Sequence, residues 1–254
     1  MAEPRRPKFA VAGKGGAGKT TVSAGLALAL AARGEPVFAV DGDSAGSLGY
    51  ALGFPPDQLA GLRPLAEMRE ELEARAKPGD TGMFLLTPPV ADLIEEYSLS
   101  RDGLRLLVMG TIGEACSGCA CGLNTALREV LRQMVKRPEA LVVDMEAGVE
   151  HMGRGTVSAL DTMIVVAEPA DSSLRTGQRV IELAGQMGVK HLAVVANKLR
   201  REGDLELVQS ALGGLPVMAA VPYLEDLREP LTGPSRGAEQ LLAILSEALN
   251  RLPS

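Results

Sequence analysis

Short apolar runs alternate with longer segments of helical periodicity along most of the chain. The runs are apolar at consecutive positions, which is typical of strands buried on both faces of a parallel sheet. They predict strands at Lys8–Ala12, Pro36–Val40, Leu104–Met109, Ala140–Asp144, Thr162–Glu168, His191–Ala196 and Pro216–Val221. The helical pattern predicts helices at Thr20–Arg33, Leu65–Ala76, Asn124–Lys136, Leu174–Met187, Leu205–Leu212 and Ser235–Leu249.

This alternation predicts an α/β fold, with a mostly parallel sheet of about seven or eight strands and helices on both faces. The region Pro55–Asp102 is the least regular, and we interpret it as an insertion that includes a short strand at Met83–Leu86. A chain of 254 residues can bury one α/β core well, and it contains no tandem repeat or low-complexity linker. We therefore expect one domain over residues 1–254.

A glycine-rich segment follows the first predicted strand and leads into the first predicted helix. It consists of Gly13, Lys14, Gly15, Gly16, Ala17, Gly18, Lys19, Thr20 and Thr21. These residues meet the spacing G-x-x-x-x-G-K-T of a phosphate-binding loop, in the strand–loop–helix context that it requires. Lys19 would lie near the β- and γ-phosphates, and Thr20 would offer its hydroxyl to Mg²⁺. The segment therefore predicts a nucleotide site.

Lys14 is a second lysine that an ordinary phosphate loop does not need. It is either a solvated surface charge or a cation that reaches the nucleotide of a neighbouring subunit. The pattern G-K-G-G-x-G-K-T-T resembles the deviant Walker A loop of the MinD/ParA/nitrogenase-iron-protein group of P-loop ATPases, which are of the SIMIBI type. This resemblance implies a face-to-face homodimer closed around ATP, in which Lys14 and Lys19 are catalytic.

Acidic residues end two of the predicted strands. Asp144 ends an apolar strand in the Walker B manner and would steady Mg²⁺, while the backbone of Gly148 would contact the γ-phosphate. Asp41 and Asp43 resemble the first switch of the same ATPase group, which implies that Asp43 positions the attacking water and that Asp41 supports the metal. The group often has proline after the second aspartate, whereas this chain has Ser44. The alternative for Asp144 is a strand-end aspartate that caps the next segment. The alternative for Asp41 and Asp43 is a polar turn.

The residues after two later strands are suited to contact the base. Asn197 and Lys198 resemble a base-recognition segment, but guanine-binding proteins have an aspartate where this chain has Arg200. Because arginine has no hydrogen-bond acceptor, adenine is favoured. Pro222 and Tyr223 resemble a second segment that borders adenine.

The three cysteines of the chain are Cys116, Cys119 and Cys121, and they fall within six residues. Thiolates suit Zn²⁺, Ni²⁺ or iron–sulfur clusters, whereas one C-x-C rarely completes a coordination shell alone. If two chains met across ATP, each could give Cys119 and Cys121 to a four-thiolate site on the dimer axis. The alternative is a redox-sensitive or incidental group of thiols.

Two further segments, 118–124 and 144–151, resemble CooC-type nickel-insertion ATPases, which mature carbon monoxide dehydrogenase. The resemblance implies an ATP-hydrolysing metallochaperone with Ni²⁺ as cargo, Zn²⁺ as an alternative ion in vitro, and apo carbon monoxide dehydrogenase as client. Cys116 is additional to that family's two-cysteine pattern. We count it among the candidate metal ligands, and the alternatives are that it guards the site or does neither. Two alternatives stay open: an iron–sulfur electron-transfer or cluster-carrier ATPase, and a positioning ATPase of the MinD/ParA kind.

Charge, hydropathy and cysteine content narrow the class of protein and the compartment in which we expect it. A net charge of −6 argues against nucleic-acid binding as the main activity. An apolar stretch of about 18 residues is missing, so we expect no membrane insertion. An odd number of cysteines beside a nucleotide site indicates a reducing compartment, and we expect a cytoplasmic protein.

Overall fold

The structure is a computed structural model, and it describes residues 6–42, 46–76, 85, 87–110, 121–145 and 159–251. The strands in these ranges form one sheet with the order β3-β4-β2-β5-β1-β6-β7-β8. β3 is antiparallel to β4, and the other neighbouring pairs are parallel. The strands are β1 (Lys8–Gly13), β2 (Val37–Asp41), β3 (Ser98–Arg101), β4 (Leu104–Val108), β5 (Ala140–Asp144), β6 (Thr162–Ala167), β7 (Leu192–Leu199) and β8 (Val217–Pro222).

Helices cover both faces of this sheet. Within the described ranges they are α1 (Lys19–Ala32), α2 (Leu48–Ala51), α3 (Pro56–Ala60), α4 (Arg69–Ala76), α5 (Ala91–Glu96), α6 (Cys121–Lys136), α7 (Asp171–Met187), α8 (Asp204–Ala211) and α9 (Arg236–Leu249). A 3₁₀ turn at Leu65–Glu67 precedes α4. None of the helices in the described part of the chain has both the length and the apolar character needed to cross a bilayer.

β1 shows how the two faces are filled. Phe9 and Val11 point into a cluster with α1, α2 and α9, while Ala10 and Ala12 pack on the other face against α4, α6 and α7. All six residues of the strand are buried. The continuous apolar run therefore has the cause that the sequence indicated, and the predicted fold class is confirmed.

The seven long strands lie where the pattern predicts them, with ends that differ by up to three residues. The main difference is β3, an edge strand that the sequence analysis missed because it is short, polar and partly exposed. The predicted helix Leu65–Ala76 is wrong as one element, since the chain turns at Met68 between the 3₁₀ turn and α4. Of the predicted strand Met83–Leu86 only Leu85 is described, and it belongs to no strand.

The sheet brings three carboxyl ends together. β1 lies between β5 and β6, and β5 lies between β1 and β2. Asp41 is the register partner of Asp144, which is also the partner of Val11. The two aspartates therefore end neighbouring strands beside the segment that follows β1, the edge at which α/β sheets bind ligands.

Candidate active site

The glycine-rich loop leaves β1 at Gly13 and enters α1 at Lys19. Gly13 has φ +146°, and a Cβ atom there would overlap the carbonyl oxygen of Val166 on β6. Gly18 has φ +96°, and a Cβ atom there would overlap the side-chain amide of Asn197. Both positions require glycine, because the loop is packed tightly between β6 and β7.

The loop is shaped to receive an anion. Gly18 caps α1 without a side-chain hydrogen bond, and the first turn of the helix contains no acidic residue. The first backbone N–H groups of α1 and its positive dipole end therefore face the loop without competition from a carboxylate. Thr20 and Thr21 lie in this first turn.

The two loop lysines differ in their surroundings. Lys19 is buried, and its Nζ lies 3.5 Å from the carbonyl oxygen of Lys14, which also accepts from the Ala17 N–H at 3.1 Å. Lys14 is partly exposed, and it forms no ion pair within the part of the chain that the structure describes. The loop therefore folds Lys19 inward and presents Lys14 at its surface.

Asp41 and Asp144 are deeply buried, at 0% and 1% exposure. The Asp144 carboxylate accepts from the Ser23 hydroxyl at 3.0 Å, and the Asp41 carboxylate accepts from the Leu48 N–H at 2.9 Å. The backbones are joined as well, because the Gly42 N–H donates to the Asp144 carbonyl at 2.9 Å. Asp41 thus ties the end of β2 to the start of α2.

These donors fit a magnesium ion. Thr20 supplies a hydroxyl at the start of α1, and Asp41 and Asp144 supply carboxylates at the neighbouring strand ends. Mg²⁺ prefers oxygen ligands and usually keeps several of its waters, which one or two nearby carboxylates can hold.

Asn197 and Lys198 hold the loop from the side of β7. The Asn197 amide donates to the Ala17 carbonyl at 2.8 Å, and the Lys198 ammonium donates to the Gly16 carbonyl. Asn197 is only 7% exposed, and its amide oxygen accepts from the Lys198 N–H at 2.9 Å. The structure thus gives this pair a loop-bracing role that sequence reasoning missed, while their contact with the base stays a prediction.

Arg200 and Tyr223 meet next to this pair. The Arg200 guanidinium lies 3.4 Å from the centroid of the Tyr223 ring, and the Tyr223 N–H donates to the Leu199 carbonyl at 2.8 Å. The Asp204 carboxylate accepts from the N–H groups of Arg200 and Arg201, and these bonds lower its pKa. Arg200 is therefore held in place at the position where a guanine site would need an acceptor. Pro222, the last residue of β8, is the register partner of Leu199.

Several predicted site residues lie outside the described ranges, namely Asp43, Gly148, Cys116 and Cys119. Cys121 is the first residue of α6, and its side chain is likewise outside the description. The remaining described residues contain no group of three or more His, Cys, Asp or Glu side chains that could hold a metal ion. The cysteine site stays a prediction.

Two further residues belong to this site and were missed from the sequence. Ser23 is fully buried on α1 and donates to Asp144, and its signal was a hydroxyl within an Ala/Leu-rich helix. Glu168 pairs with Lys198 at 3.3 Å, and its signal was its place just after β6.

Comparisons with known proteins agree with this geometry. The CobQ/CobB/MinD/ParA nucleotide-binding domain matches residues 8–234. The carbon monoxide dehydrogenase accessory protein CooC of Rhodospirillum rubrum is 37% identical, over 85% of this chain and 83% of its own length. An uncharacterised ATP-binding protein of Methanocaldococcus jannaschii is 38% identical, over 94% of this chain and 96% of its own.

The fold has solved counterparts. The septum site-determining protein MinD of Pyrococcus horikoshii, complexed with Mg-ADP, superposes with a TM-score of 0.67 at 23% identity, covering 97% of this chain and 96% of that one. At this identity the likeness concerns the fold. The match over residues 8–234 and the 37% identity to CooC decide the family. The chain belongs to the CobQ/CobB/MinD/ParA family of nucleotide-binding proteins and is a P-loop ATPase similar to CooC.

Proposed function

We propose that the chain is an ATP-dependent metallochaperone that binds Ni²⁺ between two copies and delivers it to apo carbon monoxide dehydrogenase. The observation that carries this proposal is the cluster of Cys116, Cys119 and Cys121 in a chain 37% identical to CooC. A phosphate loop alone would support any ATPase of the family, whereas three thiols within six residues favour a soft metal as cargo.

Hydrolysis of ATP would use the loop lysines and the first switch. Lys19 would stabilise charge on the transferred phosphoryl group, and Lys14 would reach the phosphates bound by the partner copy. Asp43 would position the attacking water. Mg²⁺, when bound near Thr20, Asp41 and Asp144, would neutralise charge on the phosphates. The partly exposed Lys14, which has no ion pair in the described ranges, supports this assignment.

Asp41 offers a route from nucleotide to metal. Its carbonyl accepts from the Met109 N–H at 2.8 Å, immediately after β4, and its carboxylate holds the start of α2. The chain continues from β4 to α6, which begins at Cys121. A change at Asp41 during hydrolysis would therefore act at Met109, where the segment that leads to the cysteines begins. Loss of a γ-phosphate contact at Gly148 would add a second signal.

The metal would be shared between two copies. Cys119 and Cys121 from each chain make four thiolates, which suffices for a closed tetrahedral or square-planar shell. Cys116 would add a third thiol per chain near that shell. The nucleotide state would set the separation of the two thiol pairs, and that separation would set the affinity for Ni²⁺ or, in vitro, Zn²⁺. Such a carrier would work in the cytoplasm, where thiols stay reduced.

An anaerobic nickel titration with and without ATP tests this function. We expect the variant Cys119→Ser/Cys121→Ser to lose nickel binding and to bind ATP as the wild type does. Cys116→Ser is the matched control and should keep the nickel stoichiometry. Wild-type nickel binding by the double variant would overturn the proposal.

Two outcomes would point to the alternatives. Broad visible absorption after anaerobic purification, lost in the double variant, would indicate an iron–sulfur carrier or electron-transfer ATPase. ATP-dependent dimerisation with no metal bound by the wild type would indicate a positioning ATPase.

A further inference from the structure

Glu168 lies one residue beyond β6, between the loop that follows β1 and the end of β7. The register pairs Gly13 with Val166, and Ala167 with Ala196. Glu168, just after β6, therefore lies at the level of Asn197 in the neighbouring strand β7. The phosphate-loop motif and the other residues that the sequence predicts for the nucleotide site do not include Glu168.

The Lys198 ammonium joins Glu168 to the loop. It donates to the Gly16 carbonyl and lies 3.3 Å from the Glu168 carboxylate. Lys198 has φ +58°, a backbone conformation that residues other than glycine and asparagine rarely adopt. The Lys198 side chain is 37% exposed. Water competes for an ammonium at this exposure, so the contact with Gly16 alone would not hold it at the loop.

Glu168 is itself firmly held. Its N–H donates to the hydroxyl of Ser173 at 3.1 Å, and Ser173 is fully buried in the first turn of α7. Its carbonyl accepts from the Ala170 N–H at 2.7 Å. The backbone of Glu168 is therefore held on both sides, and its carboxylate, 22% exposed, pairs with the longer side chain of Lys198.

A bound nucleotide would compete with Glu168 for the Lys198 ammonium. A bound triphosphate would attract any ammonium within reach, and Lys198 already contacts the backbone of the phosphate loop. The Glu168 carboxylate neutralises Lys198 and favours the position in which its N–H bonds brace Gly16. Lys14 and Lys19 have no such carboxylate partner in the described ranges.

We propose that Glu168 is a positioning residue for ATP binding. Through Lys198 it fixes the phosphate loop at Gly16, and it keeps the Lys198 ammonium away from the phosphates. This inference concerns the ATPase and does not depend on the metal cargo. The loop holds ground-state and transition-state phosphates alike, so loss of the brace should weaken binding rather than slow chemistry.

Glu168→Gln should raise KM for ATP and Kd for ADP by the same factor, about fivefold, with kcat within about twofold of the wild type. In a double-mutant cycle with Lys198→Met, adding Glu168→Gln should have no further effect on Kd, because its partner is already missing. The cycle should be measured at a temperature where all variants are folded.

Glu182→Gln is the matched control, since Glu182 forms an exposed ion pair with Arg179 on α7. It should leave KM, Kd and kcat unchanged. A fivefold loss caused by Glu168→Gln in both the wild-type and the Lys198→Met background would overturn the inference. A lowered Tm with unchanged Kd would also overturn it, because that result describes a purely structural residue.

Discussion

The two ends of the sheet both carry charged side chains, but these side chains make different contacts. At the amino ends of the strands, Arg105 and Arg137 both bind Glu95, at 2.8 Å each, and Arg137 also binds Glu139 at 3.2 Å. Both guanidinium groups lie over the ring of Phe38, 4.6 and 5.5 Å from its centroid. Cations and carboxylates there pair with one another, while Arg105 Nε and one oxygen of Glu139 are buried without a hydrogen bond among the described residues.

At the carboxyl ends, the charged side chains of the phosphate loop and of the predicted magnesium site make contacts of a different kind. Lys19 contacts a backbone carbonyl, while Asp41 and Asp144 accept from an N–H group and a hydroxyl. Each of these contacts is made to a neutral group, and each holds a charged side chain at the edge where α/β sheets bind ligands. The comparison teaches that the position of a charge in the sheet, more than its burial, identifies the functional end of this molecule.

The largest expected effect is on catalysis, at the carboxyl ends of the strands. Lys19→Met should reduce ATP turnover at least about 100-fold, because it removes the cation nearest the transferred phosphate. Phosphate release measures the effect, and the thermal midpoint checks the fold. A variant that retains more than a tenth of wild-type turnover would contradict the assignment of the loop.

A smaller effect is expected on the choice of base. Arg200→Asp restores the acceptor of a guanine site beside Asn197 and Lys198, and should shift the ratio of GTP to ATP affinity by about tenfold. Arg201→Asp makes the same change of charge on a neighbouring exposed residue and serves as the control. Equal shifts in both variants would show that the effect is one of charge alone.

At the amino ends of the strands we expect a loss of stability with no loss of activity. Arg137→Met should lower the free energy of unfolding by about 1–2 kcal/mol, since it leaves Glu95 and Glu139 with fewer partners. Denaturant unfolding measures this change, and turnover at a temperature where the variant is folded should equal that of the wild type. A tenfold fall in kcat would erase the contrast between the two ends.

The smallest effect concerns pH. The hydrogen bond from Arg105 lowers the pKa of Glu95 below its ordinary value of 4.5. A lowered folded-state pKa contributes stability above the unfolded pKa, and this contribution is lost as pH falls through the folded pKa. The difference in unfolding free energy between wild type and Glu95→Gln should therefore shrink between pH 6 and pH 3. A constant difference would mean that the carboxylate charge is not involved.

The sequence predicts the parts of this molecule that depend on local order. The loop from Gly13 to Thr21 is contiguous, and the buried strands have continuous apolar runs, so spacing alone finds them. The brace from Asn197 to Ala17 joins residues 180 positions apart, which no local pattern contains. β3 was missed because Ser98–Arg101 has too little apolar character to show a period.

The cysteines show the same limit. Their spacing indicates the kind of ligand, but a metal shared by two chains depends on how the copies meet, which one sequence does not state. The family match supports the ATPase and its fold. The nickel cargo rests on the thiols.

Native mass measurement of the protein with nickel and a non-hydrolysable ATP analogue tests the central claim most directly. We predict a dimer with two nucleotides and a single nickel ion, and a monomer without bound nickel when the nucleotide is left out. Nickel bound one per chain, or bound equally well without nucleotide, would contradict a metal site formed between two copies.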